Sequence, residues 1–232
     1  MTPRALTPGE IAEIVKEYRV AAVNARRAGF DGVEVHAQRG YLIAQFLNPA
    51  LNLRTDSYGG SIENSARFLL EVLDAVTGAW GPHQVGVKFA PYQVMNQAIG
   101  FSPEILANHE YAAARFNDYR LAYLHLMMVR QPNVPVTAEQ QRETLLRFRP
   151  AYQGTLVANA SLDQDSGNAV IAEGLADLVS FGAPFIANPD LPARFAGRLP
   201  LAQGNREKFY QGGASGYTDY PAAVRSSLEG VK

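Results

Sequence analysis

Short runs of β-branched and aliphatic residues alternate along this chain with segments of helical periodicity. A capping box at Thr7 and Glu10 predicts the start of a first helix, which is expected to stop at Gly29. The strands predicted after it cover residues 31–36, 84–90, 121–126, 154–158 and 176–181, and further helices are predicted at 64–78, 103–118, 137–148 and 165–173. Such alternation is typical of βα units and a parallel sheet. Five strands fit a doubly wound sheet but not a complete (β/α)8 barrel, so the pattern leaves the architecture open.

Composition restricts the class of protein. The 232 residues predict a single domain, 1–232, with a carboxyl-terminal tail from about residue 200. With 21 Lys and Arg against 22 Asp and Glu, the chain lacks the basic excess that nucleic-acid binding requires. The absence of Cys excludes disulfides, thiolate metal sites and a cysteine nucleophile. The four His have no carboxylate at metal-ligand spacing, so no metal site is predicted.

Hydropathy gives no sign of a membrane segment. The chain has no apolar run of about 18 residues, which a membrane-spanning helix needs. Its first residues also lack the apolar stretch of a secretory signal. We therefore expect a soluble, cytoplasmic protein that binds neither membranes nor nucleic acid.

The richest candidate site follows the first predicted strand. His36 closes that strand, and Arg39 and Tyr41 follow it within one loop. An imidazole, a guanidinium and a phenol at the carboxyl end of a parallel strand suit a site that binds a carbonyl oxygen and delivers a proton. Spacing alone fits equally well with a core histidine and an interface aromatic.

A second polar cluster, residues 52–64, is interpreted as architectural. Arg54 and Asp56 can form an ion pair, Gly59 and Gly60 can supply a tight turn, and Ser61 can cap the following helix. The glycine pair is no phosphate loop, because no Walker lysine follows it.

These clusters together resemble the Old Yellow Enzyme family. The motifs that carry the resemblance are Glu34-Val35-His36, Gly40-Tyr41-Leu42, Gln45-Phe46-Leu47, Arg54-Thr55-Asp56, Tyr58-Gly59-Gly60-Ser61, Phe185-Ile186-Ala187-Asn188-Pro189 and Gly216-Tyr217-Thr218-Asp219-Tyr220. Members are FMN-dependent ene-reductases on a (β/α)8 TIM barrel that reduce enones with NAD(P)H. The resemblance implies that this chain is a truncated barrel of that type, corresponding to roughly strands four to eight.

The resemblance also implies roles for the candidate residues. His36 and Arg39 would bind the carbonyl of an enone-like small molecule, and Tyr41 would be the proton donor. Arg39 departs from the family, which has Asn or His at this position. Tyr210 would contact the substrate, although simple packing of the tail explains it equally well.

The positions that the resemblance assigns to FMN are altered. Lys88 stands where the family has an Arg against the flavin ring, and Asn159 and Ala160 replace a glycine pair at the phosphate. After the last strand, Gly182 and Ala183 occupy the phosphate-binding loop, and Ala183 replaces an Arg. Loss of such contacts predicts weaker FMN binding.

Open sheet edges at residues 33–36 and 178–181 predict self-association or a complementary amino-terminal half, because an unpaired edge invites another strand. Two alternatives to the ene-reductase stay open. One is a flavin-free relative that acts as a binding or assembly protein or is a pseudoenzyme. The other is a flavin-independent isomerase or cyclase that uses His36, Arg39 and Tyr41.

Overall fold

A computed structural model describes residues 4–38, 40–92, 102–127, 137–211 and 213–223. Residue contacts divide the chain into two compact units, Met1–Val179 and Ser180–Lys232. The single domain 1–232 with a tail from about residue 200 stays a prediction.

A parallel sheet organises the first unit. Its strands are β1 (Val33–Ala37), β2 (Val85–Phe89), β3 (Tyr123–Met127), β4 (Leu156–Asn159) and β5 (Leu178–Ser180), in the order β1-β2-β3-β4-β5. Helix α1 (Pro8–Arg27) precedes the first strand. The helices between the strands are α2 (Leu42–Leu47), α3 (Ile62–Trp80), α4 (Pro103–Arg115), α5 (Ala138–Phe148) and α6 (Gln164–Ala172). All five strands lie within two residues of their predicted bounds, so the α/β fold with a parallel sheet is confirmed.

Side-chain caps fix where the long helices begin. The Thr7 hydroxyl accepts from the Glu10 backbone N–H at the start of α1, and the Glu10 carboxylate accepts from the Thr7 N–H, as the capping box predicts. The Ser61 hydroxyl accepts from the Asn64 N–H and caps α3. These caps satisfy backbone donors that have no partner inside the helix.

The two faces of the sheet differ in chemistry. Residues that point toward the helices are apolar and fully or nearly buried, including Val35, Val87, Leu124, Leu126 and Leu156. The residues that alternate with them are polar, and we call the set Glu34, His36, Lys88, Tyr123 and His125 the polar face. Parallel sheets usually bury apolar side chains on both faces. A polar face therefore marks the side of the sheet where a functional site is expected.

The described strands do not by themselves close a barrel. β1 and β5 are the outer strands of the sheet, whereas a (β/α)8 barrel requires eight strands in a ring. Truncation to strands four to eight agrees with this sheet, and barrel closure stays a prediction.

The second unit contains two short helices, α7 (Ala183–Ala187) and α8 (Leu191–Ala196), which the periodicity did not predict. Asp190 ties this unit together: its carboxylate accepts from the Arg194 Nε at 2.7 Å and from the Ala223 backbone N–H at 2.7 Å. Arg194 also donates to the Pro221 carbonyl oxygen. The last described segment is thereby bound to α8.

None of the helices in the described part of the chain is long and apolar enough to cross a membrane.

Candidate functional site

The structure brings His36 and Tyr41 together at the carboxyl end of β1. His36 is in β1, and Tyr41 immediately precedes α2. Their ring centroids are 5.2 Å apart with an interplanar angle of 59°. Between them Gly40 takes a φ of +71°, which glycine adopts without strain, and the Tyr41 N–H donates to the Gln38 carbonyl oxygen at 3.3 Å. This tight loop folds the tyrosine back beside the histidine.

Both aromatic side chains are accessible. His36 is exposed, and Tyr41 is 55% exposed, so neither is a packed core residue. Arg39, the third residue expected here, lies outside the described residues.

Gln45 of α2 stabilises the loop between His36 and Tyr41 by hydrogen bonds. Its side-chain amide donates to the Gly40 carbonyl oxygen at 2.7 Å, and its backbone N–H donates to the Tyr41 carbonyl oxygen at 2.9 Å. Gln38 is only 5% exposed, and its Oε1 has no hydrogen-bond partner among the residues that the structure describes. A buried acceptor without a partner is uncommon in proteins and is often found at functional sites.

His36 begins a row of basic groups across three strands. The strand register pairs His36 with Lys88 of β2, and Lys88 with His125 of β3. Residues paired in this way carry their side chains on the same face, and we call His36, Lys88 and His125 the basic row. The predicted flavin residue Lys88 therefore stands on the strand beside the predicted oxyanion donor.

A carboxylate lies next to this row. Glu34 Oε2 is 2.8 Å from His125 Nδ1. Burial opposes ionisation of Glu34, but the hydrogen bond and electrostatic attraction of His125, with a smaller contribution from Lys88, outweigh it and lower the Glu34 pKa. Glu34 is thus ionised at neutral pH and offsets part of the positive charge of the basic row.

The backbone after β4, where a contact with the FMN phosphate is predicted, has positive φ angles at residues that are not glycine. Asn159 ends β4, and the next two residues, Ala160 and Ser161, have φ of +93° and +55°. Glycine adopts these angles readily, whereas other residues are strained there. The Ala160 methyl is buried in a small cluster with Ala90 and Met127. The loop therefore has a conformation suited to glycine, although its residues are not glycine.

The other predicted contacts lie in the second unit. Gly182 immediately precedes α7 and Ala183 is its first residue. Tyr210 is 93% exposed, so the interpretation of this side chain as tail packing is wrong. Its contact with substrate stays a prediction.

Hydrogen bonds support the architectural interpretation of residues 52–64. Arg54 donates to the Asp56 carboxylate from Nε at 3.0 Å and to the Leu6 carbonyl oxygen from Nη1 at 2.6 Å. The Asn52 side-chain amide donates to the carbonyl oxygens of Phe46 and Tyr58. This network fixes the chain between α2 and α3.

Sequence reasoning missed the contact of Glu34 with His125. The two residues are 91 positions apart, and they meet only because β1 and β3 flank the same central strand. The alternation of polar and buried residues along each strand could have indicated the polar face, since it puts Glu34 on the same face of β1 as His36, and Tyr123 on the same face of β3 as His125. Among the described residues, no group of three or more His, Asp and Glu could hold a metal ion.

Comparison with known proteins identifies the family. A sequence model described as "NADH:flavin oxidoreductase / NADH oxidase family" matches residues 1–202, which is most of the chain. The chain belongs to this family. The family includes the Old Yellow Enzymes, so the predicted resemblance is confirmed.

Several curated relatives are plant proteins. The chain is 45% identical to "Putative 12-oxophytodienoate reductase 5" of Oryza sativa subsp. japonica over 221 residues, which are 94% of this chain and 58% of that protein. It is 42% identical to "12-oxophytodienoate reductase 2" of Arabidopsis thaliana, covering 95% of this chain and 58% of that protein. The chain thus spans somewhat over half the length of these relatives.

Solved structures of the same family have a similar fold. "Morphinone reductase" superposes with a TM-score of 0.88 at 42% identity, covering 98% of this chain and 60% of that chain. "Structure of morphinone reductase in complex with tetrahydroNAD" gives a TM-score of 0.86 at 41% identity, with the same coverage. The family fold therefore extends through nearly all of this chain.

Proposed function

We propose that this chain carries the substrate-activating part of an FMN-dependent ene-reductase that reduces enone-like alkenes with NAD(P)H. The observation that carries the proposal is the 5.2 Å approach of the accessible His36 and Tyr41 rings, with His36 on the strand next to that of Lys88. Its relatives are reductases by name, and one is described in complex with tetrahydroNAD. The oxidoreductase class is that of the family as a whole.

His36 and Tyr41 have different roles toward the substrate: His36 binds its carbonyl oxygen, and Tyr41 donates a proton. A ring N–H of His36 donates to the carbonyl oxygen of the enone and draws electron density away from the conjugated double bond. The Tyr41 hydroxyl gives its proton to one alkene carbon, while the other carbon receives a hydride. The alkene is thereby reduced by two electrons, and solvent returns the proton to Tyr41. Arg39, if it reaches the same oxygen, is a second donor with a positive charge.

The donor set of the polar face fits the ring of a flavin. Lys88 and the histidines of the basic row are donors or cations, and an electron-rich ring with carbonyl oxygens accepts from such groups. Bound FMN would supply the hydride to the alkene after accepting one from NAD(P)H. Lys88 is proposed to contact the ring.

The phosphate side of the proposed FMN site is weaker. Asn159 ends β4 and Ala160 follows it, and Gly182 and Ala183 lie at the start of α7. None of these four residues has a cationic side chain. They offer backbone N–H groups and the Asn159 side-chain amide as donors. A phosphate held without Arg or Lys loses its charge-assisted hydrogen bonds. Tyr210 is proposed as a substrate contact.

Completion of the barrel is part of the same proposal. The outer edge of β1 carries backbone donors and acceptors that have no neighbouring strand among the described residues. We expect an amino-terminal half or a second copy of the chain to pair with this edge. Light scattering of the purified chain should give a mass above that of a monomer, and a monodisperse monomer would contradict the pairing.

The proposed function is tested by adding FMN to the purified chain and then NADPH and cyclohexenone. Expected results are a saturable shift of the flavin spectrum and consumption of the enone. His36→Ala should reduce enone turnover at least about tenfold, since a hydrogen bond to a charged group contributes about 1.5–3 kcal/mol. His83→Ala is the control, because His83 is also exposed but precedes β2. Absence of FMN binding would refute the proposal and favour the flavin-free relative.

A further inference from the structure

Glu34 lies at the centre of a side-chain network that crosses three strands. Its Oε2 is 2.8 Å from His125 Nδ1 on β3, although β2 lies between the two strands. The Tyr123 hydroxyl also donates to Glu34, and Lys88 acts on it electrostatically. Glu34 therefore interacts with every ionisable side chain of the polar face on β2 and β3.

Gly86 makes this crossing possible. The register places Gly86 between Glu34 and Tyr123. A Cβ atom on Gly86 would lie 2.3 Å from Tyr123 Cε2, so the aromatic ring occupies the space that any side chain at this position would need. The missing side chain on β2 lets Glu34 reach over the strand to Tyr123 and His125.

The contact with ionised Glu34 decides which ring nitrogen of His125 carries a proton. An ionised carboxylate only accepts hydrogen bonds, so the His125 nitrogen facing it must carry a proton. That nitrogen is Nδ1, and neutral His125 is then the Nδ1–H tautomer, with Nε2 as the acceptor. A carboxylate that fixes the tautomer and ring orientation of a histidine is a common way of supporting functional imidazoles.

We propose that Glu34 is a positioning residue of the flavin site: it fixes the tautomer and orientation of His125 and thereby the arrangement of the basic row that binds the flavin ring. The assignment of a ligand rests on the proposed function, whereas the effect on His125 does not. His125 is next to Lys88 in the register, so an imidazole in a defined tautomer presents a defined nitrogen to the same bound ring.

The test compares Glu34→Gln with Glu110→Gln in the full chain. Glu34 and Glu110 have side chains that are 29% and 30% exposed, and each is paired with a basic side chain, but Glu110 pairs with Arg147 in the helical layer. Long-range ¹H–¹⁵N NMR of the imidazoles at pH 8 reports the tautomer of His125. Titration with FMN, followed by flavin fluorescence, reports the affinity of the site.

The wild type and Glu110→Gln should have the Nδ1–H tautomer, and Glu34→Gln should shift the tautomer ratio at least about tenfold toward Nε2–H. FMN affinity should fall about tenfold in Glu34→Gln, the equivalent of one charge-assisted hydrogen bond, and stay within about twofold in Glu110→Gln. Unchanged His125 signals in Glu34→Gln, or equal losses of FMN affinity in both variants, would overturn the inference. If the wild type bound no FMN, the proposed function would fail and the NMR comparison would still decide the role of Glu34.

Discussion

The ring of Tyr123 occupies the space above Gly86, where an added Cβ would approach Tyr123 Cε2 to 2.3 Å. Gly86→Ala should therefore push Tyr123 away from Glu34 and lower the free energy of unfolding by about 1–3 kcal/mol, as overpacking does. Urea denaturation measures this change. Gly78→Ala in α3 is the matched control, because no atom of the described residues outside the helix's own backbone lies within 4 Å of its added Cβ. It should leave stability unchanged or raise it by about 0.5–1 kcal/mol. Equal behaviour of the two variants would contradict the close packing of Tyr123.

Arg54 is expected to stabilise the fold rather than to act in catalysis. Its guanidinium donates hydrogen bonds to both the Asp56 carboxylate and the Leu6 carbonyl oxygen. The single ammonium group of lysine cannot reproduce this planar arrangement of donors. Arg54→Lys should lower the free energy of unfolding by about 1–3 kcal/mol. Arg115→Lys is the control and should change the free energy of unfolding by less than about 0.5 kcal/mol, because Arg115 makes an exposed ion pair with Asp118. A loss of FMN binding in folded Arg54→Lys would show that residues 52–64 belong to the site.

His109 makes stability depend on pH. Burial lowers its pKa from 6.5 to about 4, and its Nδ1 lies 2.8 Å from the Ile105 carbonyl oxygen. Below pH 6.5 His109 becomes protonated in the unfolded chain, whereas in the folded chain it stays neutral down to about pH 4. Protonation therefore favours the unfolded chain, and the free energy of unfolding falls as the pH decreases from 6.5 to about 4.

Denaturation between pH 7 and pH 4 measures the effect of His109. His109→Gln should reduce the slope of unfolding free energy against pH by up to about 1.4 kcal/mol per pH unit, which corresponds to one proton. The same slope in His109→Gln as in the wild type would mean that His109 is not buried as a neutral imidazole.

Ser161 is in a left-handed conformation, with φ +55°, and is exposed. That conformation costs a non-glycine residue roughly 1–2 kcal/mol. Substitution by glycine removes this strain, but it also increases the conformational entropy of the unfolded chain, which offsets part of the stabilisation. Ser161→Gly should therefore raise the free energy of unfolding by about 0.5–1 kcal/mol. Ser102→Gly provides the comparison, because Ser102 has an extended backbone with φ −135° and no such strain. A loss of stability in Ser161→Gly would place the loop in another conformation.

Much of the fold is readable from the sequence because it depends on local signals. The capping box at Thr7 and the alternation of strand and helix predicted α1 and all five strands. The short helices α2, α7 and α8 were missed, since five or six residues are too few to establish a helical period. Turn chemistry and chain packing determine these helices instead.

The candidate site was only partly predictable. His36 and Tyr41 are close in sequence, so a single loop brings them together, and the motif located them. Glu34 and His125 meet through strand register, which no local pattern encodes. The backbone at Ala160 illustrates a second limit, because its left-handed angle would have been expected only at a glycine.

The role of Tyr41 as proton donor is the central claim, and rapid-mixing kinetics of Tyr41→Phe in the FMN-loaded chain test it most directly. The phenylalanine keeps the ring beside His36 and removes only the hydroxyl. Oxidation of the reduced protein by cyclohexenone should slow at least about a hundredfold, as loss of a general acid predicts, while reduction by NADPH stays unchanged. Tyr18→Phe, on α1 against Phe68, should alter neither half-reaction. Equal slowing of both half-reactions in Tyr41→Phe, or no slowing of either, would contradict the account.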